Sequence, residues 1–130
     1  MPELFRRAQA FERAFVKAGG LLGAGVDPTG LGGALPGYGD QRNYELLLEA
    51  GFSPVETIQI MTLNGAKILG VDQQLGSIAT GKIADLVVIR GNPIARSRPT
   101  SAKVTTVFKD GVGYDPAKLV ASVKGQVGIR

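Results

Sequence analysis

The segment from Leu21 to Asp27 constrains the fold of this chain more than any other. Its residues are apolar or small up to the final carboxylate, Gly19-Gly20 precedes it and Pro28 follows it. Such a run is typical of a strand buried on both faces in a parallel sheet. The sequence therefore predicts an α/β fold with Asp27 at the carboxyl end of a buried strand, where ligands of parallel α/β proteins gather.

Helical patterns lie on both sides of this strand. Apolar residues recur at spacings of four and three between Leu4 and Ala18, which predicts an amphipathic helix over residues 3–18. A second helix is expected from Asp40, as N-cap, to Ala50. Between strand and second helix, residues 28–40 are too rich in glycine and proline for regular structure, and a loop of this length indicates a functional role.

A capping box marks the third helix. Ser53 is placed at the N-cap, Pro54 at the first helical position and Glu56 at the third. A further helical turn is expected to end at Gly70. The apolar side chains predicted to form the buried face are Val55, Ile58, Met61 and Leu63.

From Val71 onward the pattern changes to short strands and turns. A brief extended piece is expected near residues 76–82, followed by strands over residues 84–89 and 104–109. Asp110-Gly111 is typical of a hairpin turn, and Asp115-Pro116 predicts a last helix to about Lys124. This change predicts a second small core, separate from the first and containing Leu86, Val88, Val107 and the apolar side of the last helix.

Length and composition limit the possible functions. The chain has 130 residues, enough for one domain with a real core but too few for a complete eight-stranded α/β barrel. It contains no cysteine and no histidine, which excludes disulfides, thiolate chemistry and imidazole metal ligands. The net charge is +4, but the basic residues are scattered, so a solvated surface is favoured over a nucleic-acid interface. Without a signal peptide or a spanning apolar run, we expect a cytoplasmic protein with no membrane partner.

Two aspartates deserve separate interpretation. Asp27 can either cap the turn formed by Pro28-Thr29-Gly30 or serve as a functional carboxylate, and spacing alone favours the cap. Asp85 precedes a continuous apolar strand, where a polar residue ordinarily marks the strand entry. The glycines of the long loop lack the remaining residues of a nucleotide-binding motif, so nucleotide binding is not favoured.

Several motifs occur together in one order along most of the chain. They are Gly25-Val26-Asp27, Glu49-Ala50-Gly51-Phe52-Ser53-Pro54, Asn64-Gly65-Ala66-Lys67-Ile68-Leu69-Gly70, the run from Leu75 to Ile89, and Gly91-Asn92-Pro93. With them the chain resembles the C-terminal part of the amidohydrolase superfamily, nearest to its imidazolonepropionase-like metal-dependent hydrolases. The run from Gly76-Ser77-Ile78 to Ala84-Asp85-Leu86-Val87-Val88 is the most specific of these motifs.

The resemblance implies a (β/α)8 TIM-type barrel accompanied by a small β-sandwich. Residues 1–70 would be the last strand and helices of that barrel, and residues 71–130 the C-terminal sandwich strands with a short terminal helix, a partial fold. It also implies that Asp27 is both a catalytic residue and a metal ligand, accepting a proton from the attacking water. The cofactor implied for the complete enzyme is a divalent metal, zinc before others, and the substrate a small-molecule amide or cyclic amide cleaved at a non-peptide carbon–nitrogen bond.

The missing histidines set this chain apart from that family. The other metal ligands that the resemblance implies, a His-x-His pair and further histidines, cannot come from a chain without histidine. We therefore expect a fragment that is inactive and metal-free when isolated, and that self-associates through unpaired strand edges. The alternative is a non-catalytic interaction or self-assembly module.

Overall fold

The computed structural model describes residues 2–27, 38–92, 94 and 104–126. Within these ranges the chain forms helices first and then a small sheet followed by a last helix. The elements are α1 (Pro2–Lys17), α2 (Tyr38–Glu49), α3 (Pro54–Met61), α4 (Leu63–Ile68), β1 (Leu86–Ile89), β2 (Val104–Lys109), β3 (Val112–Tyr114) and α5 (Pro116–Ser122). None of the helices in the described part is both long and apolar enough to cross a membrane.

The N-terminus of α3 forms as the sequence predicts. The Ser53 hydroxyl accepts a hydrogen bond from the backbone N–H of Glu56 at 3.2 Å, and the Glu56 carboxylate accepts one from the backbone N–H of Ser53 at 2.7 Å. Both N–H groups would otherwise lack a partner at the start of the helix. The predicted capping box is confirmed.

The buried face of α3 differs from the predicted one. The helix ends at Met61, and Thr62, with φ −128° and ψ −85°, separates it from α4. Pro54, Thr57 and Ile60 are buried, whereas Val55 is 56% exposed. The buried face of α3 predicted from the spacing of apolar residues is therefore wrong. The position of the neighbouring helix decides which side of α3 is covered.

One core is formed where the helices meet. Leu47 of α2, Phe52 of the α2–α3 turn and Ile60 of α3 form a buried cluster. Partly buried apolar residues from α1, the following segment, the α2–α3 turn and α3 pack against it, namely Val16, Leu22, Ala50 and Met61. The core therefore joins α1 and residues 21–27 to the α2–α3 unit.

The apolar stripe of α1 faces away from this core. Leu4, Phe11 and Phe15 are 70%, 71% and 42% exposed. The helix is confirmed, but its packing face is centred near Gln9 and Val16, roughly 120° around a helix of 3.6 residues per turn. In the described part of the chain the predicted inner face of α1 is thus uncovered.

The segment 21–27 is not a strand in this structure. A parallel strand is defined by hydrogen bonds to its neighbours, and the sheet of the described residues contains β1, β2 and β3 alone. The prediction of a strand ending at Asp27 is therefore wrong for this chain, although the segment still packs against the helices. The extended piece expected near residues 76–82 likewise consists of turns and bends.

The sheet is antiparallel, with strand order β1-β2-β3. Leu86 pairs with Phe108, and the register shifts between Val88 and Ile89. The β2–β3 turn has positive φ at both central residues, 50° at Asp110 and 77° at Gly111, as a type I′ hairpin requires. The predicted strands and hairpin turn are confirmed, although β1 begins two residues later than expected.

The predicted second core does not form within the part of the chain that the structure describes. Among the described residues of the sheet and α5 none is fully buried, and Val88 is 45% exposed. The Asp115 carboxylate caps α5 by accepting from the N–H groups of Ala117 and Lys118, as predicted. However, α5 ends at Ser122 rather than near Lys124, and so short a helix cannot enclose a sheet face.

The long loop predicted to be functional lies, from residue 28 to 37, outside the described residues.

Candidate functional site

Asp27 ends the apolar segment in an uncommon conformation. Its φ is 41°, in the left-handed region that aspartate enters more readily than most residues, and its side chain is exposed. The residue before a proline ordinarily adopts extended backbone. The backbone of Asp27 therefore departs from the extended conformation that a strand requires.

A buried amide holds the start of the same segment. The Asn64 side chain of α4 donates a hydrogen bond from Nδ2 to the carbonyl oxygen of Leu22 at 2.8 Å. Gly23 lies so close to α4 that a Cβ there would be 2.8 Å from Cδ1 of Ile68. The Asn64 side chain and the close approach of the Gly23 backbone together place residues 22–23 directly on α4.

The turn that leads into the segment requires glycine. Gly19 has φ 90°, and a Cβ at Gly20 would lie 2.5 Å from the ring of Phe15. The N–H of Gly20 donates to the carbonyl of Phe15 at 2.9 Å. The glycine pair therefore allows the chain to double back from α1 onto α4.

A cleft of about 200 Å³ lies between α1, α2 and this segment. Asp27 is not among its lining residues, so the cleft and the predicted catalytic carboxylate are separate features. Its wall is mostly apolar, with the side chains of Gln9, Glu12 and Asn43 as polar groups. The remaining lining residues are Phe5, Ala8, Leu22, Gly23, Ala24, Gly25, Leu46 and Leu47.

The residues around Asp27 do not fit a metal site. In the described ranges no three Asp, Glu, His or Cys side chains come together closely enough to hold a metal ion. Histidine is absent from the whole sequence. A catalytic zinc takes about three protein ligands, so one carboxylate from this chain is insufficient.

Asp85 fastens the β2–β3 hairpin to the start of β1. One carboxylate oxygen accepts from the Lys109 ammonium at 2.6 Å and the other from the backbone N–H of Asp110 at 2.7 Å. The hydrogen bond from Lys109, followed by that from Asp110, lowers the pKa of Asp85 below its ordinary value. The structural interpretation of Asp85 is supported, while its partner Lys109 could not be identified from the sequence.

Lys82 closes the loop that connects α4 to β1. Its ammonium donates to the backbone carbonyls of Asp72 and Leu75 and, at 2.7 Å, to the hydroxyl of Ser77. These three acceptors explain why a charged side chain lies inward in this turn-rich segment. Lys82 therefore has a structural role in the described part of the chain.

Asn64 is the residue near the site that sequence reasoning missed. It lies in one of the motifs that carried the family resemblance, but its burial and its contact with Leu22 could not be read from spacing. The available signal was a polar residue between Leu63 and Ala66 in a short apolar helix. Such a residue, when buried, requires a hydrogen-bond partner.

Sequence comparison relates the chain to known enzymes. The sequence model of the Amidohydrolase family matches residues 13–122. The chain is similar to the 5-methylthioadenosine/S-adenosylhomocysteine deaminase of Halothermothrix orenii, with 31% identity over 112 residues, which cover 82% of the chain and 25% of that protein. It is also similar to adenine deaminase 4 of Rhizobium meliloti, with 33% identity over 66 residues, covering 51% of the chain and 11% of that protein.

Solved structures show the same relationship. A Xaa-Pro dipeptidase with bound methionine in its active site superimposes with a TM-score of 0.68 at 31% identity, covering 87% of the chain and 25% of that structure. An amidohydrolase from Thermotoga maritima superimposes with a TM-score of 0.62 at 27% identity, covering 82% of the chain and 26% of that structure. The chain thus spans about a quarter or less of the length of these relatives.

Proposed function

Because the chain belongs to the amidohydrolase family, we propose that it is the C-terminal segment of a metal-dependent hydrolase that cleaves carbon–nitrogen bonds other than peptide bonds. The observation that carries this proposal is the family match over residues 13–122, which includes the segment ending at Asp27. The small share of each relative that the chain covers is what a segment of a longer enzyme would give. Isolated, the chain is proposed to be inactive.

We assign residues 1–70 to the last strand and helices of a (β/α)8 barrel and residues 71–130 to sandwich strands. Two structural features support the assignment of residues 1–70 to part of a barrel. The apolar segment 21–27 lacks the parallel neighbours that would make it a strand, and the apolar stripe of α1 is uncovered in the described residues. Both are expected where a neighbouring barrel unit is absent.

Asp27 is proposed to act as a proton acceptor. Its carboxylate would take a proton from the water whose oxygen attacks the substrate carbon, and would return it to the nitrogen as the carbon–nitrogen bond breaks. Family members generally use a divalent metal, and we propose zinc for the complete enzyme with Asp27 as one ligand. The remaining ligands must come from outside this chain, because its residues do not complete a site.

The substrate class is proposed to be a small amide or cyclic amide. The curated relatives named above are deaminases of adenine and of adenosine derivatives, whereas one superimposed structure is a Xaa-Pro dipeptidase. These names divide the candidates into two groups, purines with an exocyclic amine and proline-containing dipeptides. Activity on dipeptides alone would contradict a non-peptide specificity.

The test compares this chain with the longest reading frame that contains it. We expect that frame to encode a His-x-His pair and further histidines upstream, and its product to retain metal and to hydrolyse a small amide, a cyclic amide or a purine with an exocyclic amine, rather than dipeptides alone. Asp27→Asn should abolish this activity, while Asp72→Asn, as a matched control, should not. If the isolated chain retains stoichiometric zinc through dialysis and loses it in Asp27→Asn, the interpretation of the site is wrong.

A second candidate function, a self-assembly module, is favoured by the exposed face of α1. Leu4, Phe11 and Phe15 form an apolar stripe that a second copy could cover, gaining about 25 cal/mol per Å² of apolar area buried. Sedimentation at micromolar concentration should show a dimer or larger species. Phe11→Glu should dissociate it and Arg6→Glu, on the opposite side of α1, should not; a monodisperse monomer with cooperative unfolding would exclude this function.

A further inference from the structure

Asn64 makes an unusual long-range contact. It is 7% exposed, and its amide donates to a backbone carbonyl 42 positions earlier in the chain. A buried amide that lost its partner would be left unsatisfied, at a considerable cost in stability. The hydrogen bond therefore joins α4 firmly to the segment that ends at Asp27.

The orientation of the Asn64 amide is fixed from its other side. Gln59 of α3 donates from Nε2 to Oδ1 of Asn64 at 3.4 Å. With its oxygen engaged as an acceptor, the Asn64 amide directs its N–H₂ group to the carbonyl of Leu22. The α3–α4 pair thus presents one donor in a defined direction to residues 22–27.

This contact matters because the segment has no strand partner among the described residues. In a sheet, ladder hydrogen bonds on both sides would fix its position along the strand direction. Among the described residues it is placed instead by the Asn64 hydrogen bond, by the burial of Leu22 against the core and by the close approach of Gly23 to Ile68. Of these, the hydrogen bond is the directional contact.

We propose that Asn64 is a positioning residue that sets the location of the segment Leu22–Asp27, and through it that of the Asp27 carboxylate. The catalytic role of Asp27 in this inference rests on the proposed function. A catalytic group must be held to within roughly 0.5 Å of its productive position. A fixed hydrogen bond at the start of the segment contributes to that precision.

The test is NMR relaxation on the isolated chain, which requires no activity. In Asn64→Asp the side chain keeps its size but loses the donor. Backbone order parameters of residues 23–27 should fall from a rigid value of about 0.85 toward 0.6, with α2 and α3 unchanged. Ile60→Val is the matched control, because it weakens the same core without touching the hydrogen bond; it should lower the unfolding midpoint and leave residues 23–27 ordered.

A second measurement uses the unsubstituted protein and therefore does not depend on the folding of a variant. A scalar coupling across the hydrogen bond, between Nδ2 of Asn64 and the carbonyl carbon of Leu22, should be observable. Its absence, or unchanged order of residues 23–27 in Asn64→Asp, would overturn the proposal. Failure of the proposed function would appear separately, as a longer reading-frame product without hydrolase activity.

Discussion

The helical region and the sheet region of this chain differ in how they are held together. Every fully buried side chain in the described ranges lies between Tyr44 and Ala66, whereas the sheet and α5 contain none. Apolar residues occur in both regions, but the helices enclose some of their side chains fully, while every described side chain of the three short strands and α5 stays at least partly exposed. The difference shows that apolar residues form a buried core only where neighbouring elements enclose their side chains.

Polar contacts take the place of burial in the sheet region. The Asp85–Lys109 ion pair fastens the hairpin, and Lys82 closes the loop before β1. In the helical region the comparable polar contacts, such as that of Arg13 with the Gly51 carbonyl and the Phe52 ring, lie over an apolar cluster. The stability of the helical region should therefore depend mainly on the size of its buried side chains. That of the sheet region should depend mainly on its charged side chains.

Phe52→Ala should have the largest effect on stability. Phe52 is 2% exposed and belongs to the buried cluster. The Arg13 guanidinium carbon lies over its ring, 4.9 Å from the ring centroid. Truncating such a side chain costs about 3–5 kcal/mol. Urea unfolding followed by circular dichroism measures the loss; a change below about 1 kcal/mol would show that the helical cluster is not the main core.

Leucine truncation in both regions tests the comparison most directly. Leu47→Ala removes a buried side chain and should cost about 2–5 kcal/mol, whereas Leu86→Ala in the half-buried strand β1 should cost clearly less. Hydrogen exchange should show the sheet opening before the helices in the unsubstituted chain. Equal costs, or one common opening step, would mean that the two regions share a core.

Removal of the α3 cap should have an intermediate effect. Ser53→Ala deletes one arm of the capping box and should lower the unfolding free energy by about 1 kcal/mol. The hydrogen bond from the backbone N–H of Ser53, which Ser53→Ala keeps, is the main cause that lowers the pKa of Glu56. The stabilisation by the Glu56 carboxylate is therefore present above the ordinary pKa of that group and is lost as the pH falls through the lowered value. Unfolding at pH 7 and pH 3 should show this loss of stability in acid both in the unsubstituted chain and in Ser53→Ala.

The Asp85 contact should make the hairpin sensitive to acid. The pKa of Asp85 is lowered from 3.8 in the folded state, so its stabilisation is present above that pH and disappears as the pH falls through the folded value. The Asp110 amide shift should titrate together with the Asp85 carboxyl carbon in NMR spectra. Asp85→Asn, which keeps an acceptor oxygen, should disturb the hairpin less than Asp85→Ala.

The smallest effect is expected on α5. Val120 is exposed, and the helix buries none of its residues. Val120→Ala should change the unfolding free energy by no more than about 0.5 kcal/mol, as for other surface substitutions. A loss of more than 1 kcal/mol would reveal a partner surface on the sheet region, and repeating the measurement at several protein concentrations would show whether that partner is a second copy.

Local chemistry made part of this structure predictable. The caps at Ser53 and Asp115 and the Asp110-Gly111 turn were identified correctly because each depends on residues within a few positions of one another. The presence of α1, α2 and α3 and of strands β1 and β2 followed from the residue pattern in the same way, whereas the strand predicted over residues 21–27 did not form. The faces of α1 and α3 could not be predicted, because periodicity shows that an apolar side exists but not which neighbour will cover it.

By itself, the sequence determined the starts of α3 and α5, the hairpin turn, the family resemblance and the absence of histidine ligands beside Asp27, since all of these are properties of residue types and short spacings. Only the tertiary structure decided that residues 21–27 are no strand, that Asn64 is buried against Leu22 and that Asp85 is paired with Lys109. The physical reason is that a strand, a buried amide and an ion pair each require a partner distant in sequence. Whether such a partner is in reach depends on how the whole chain folds.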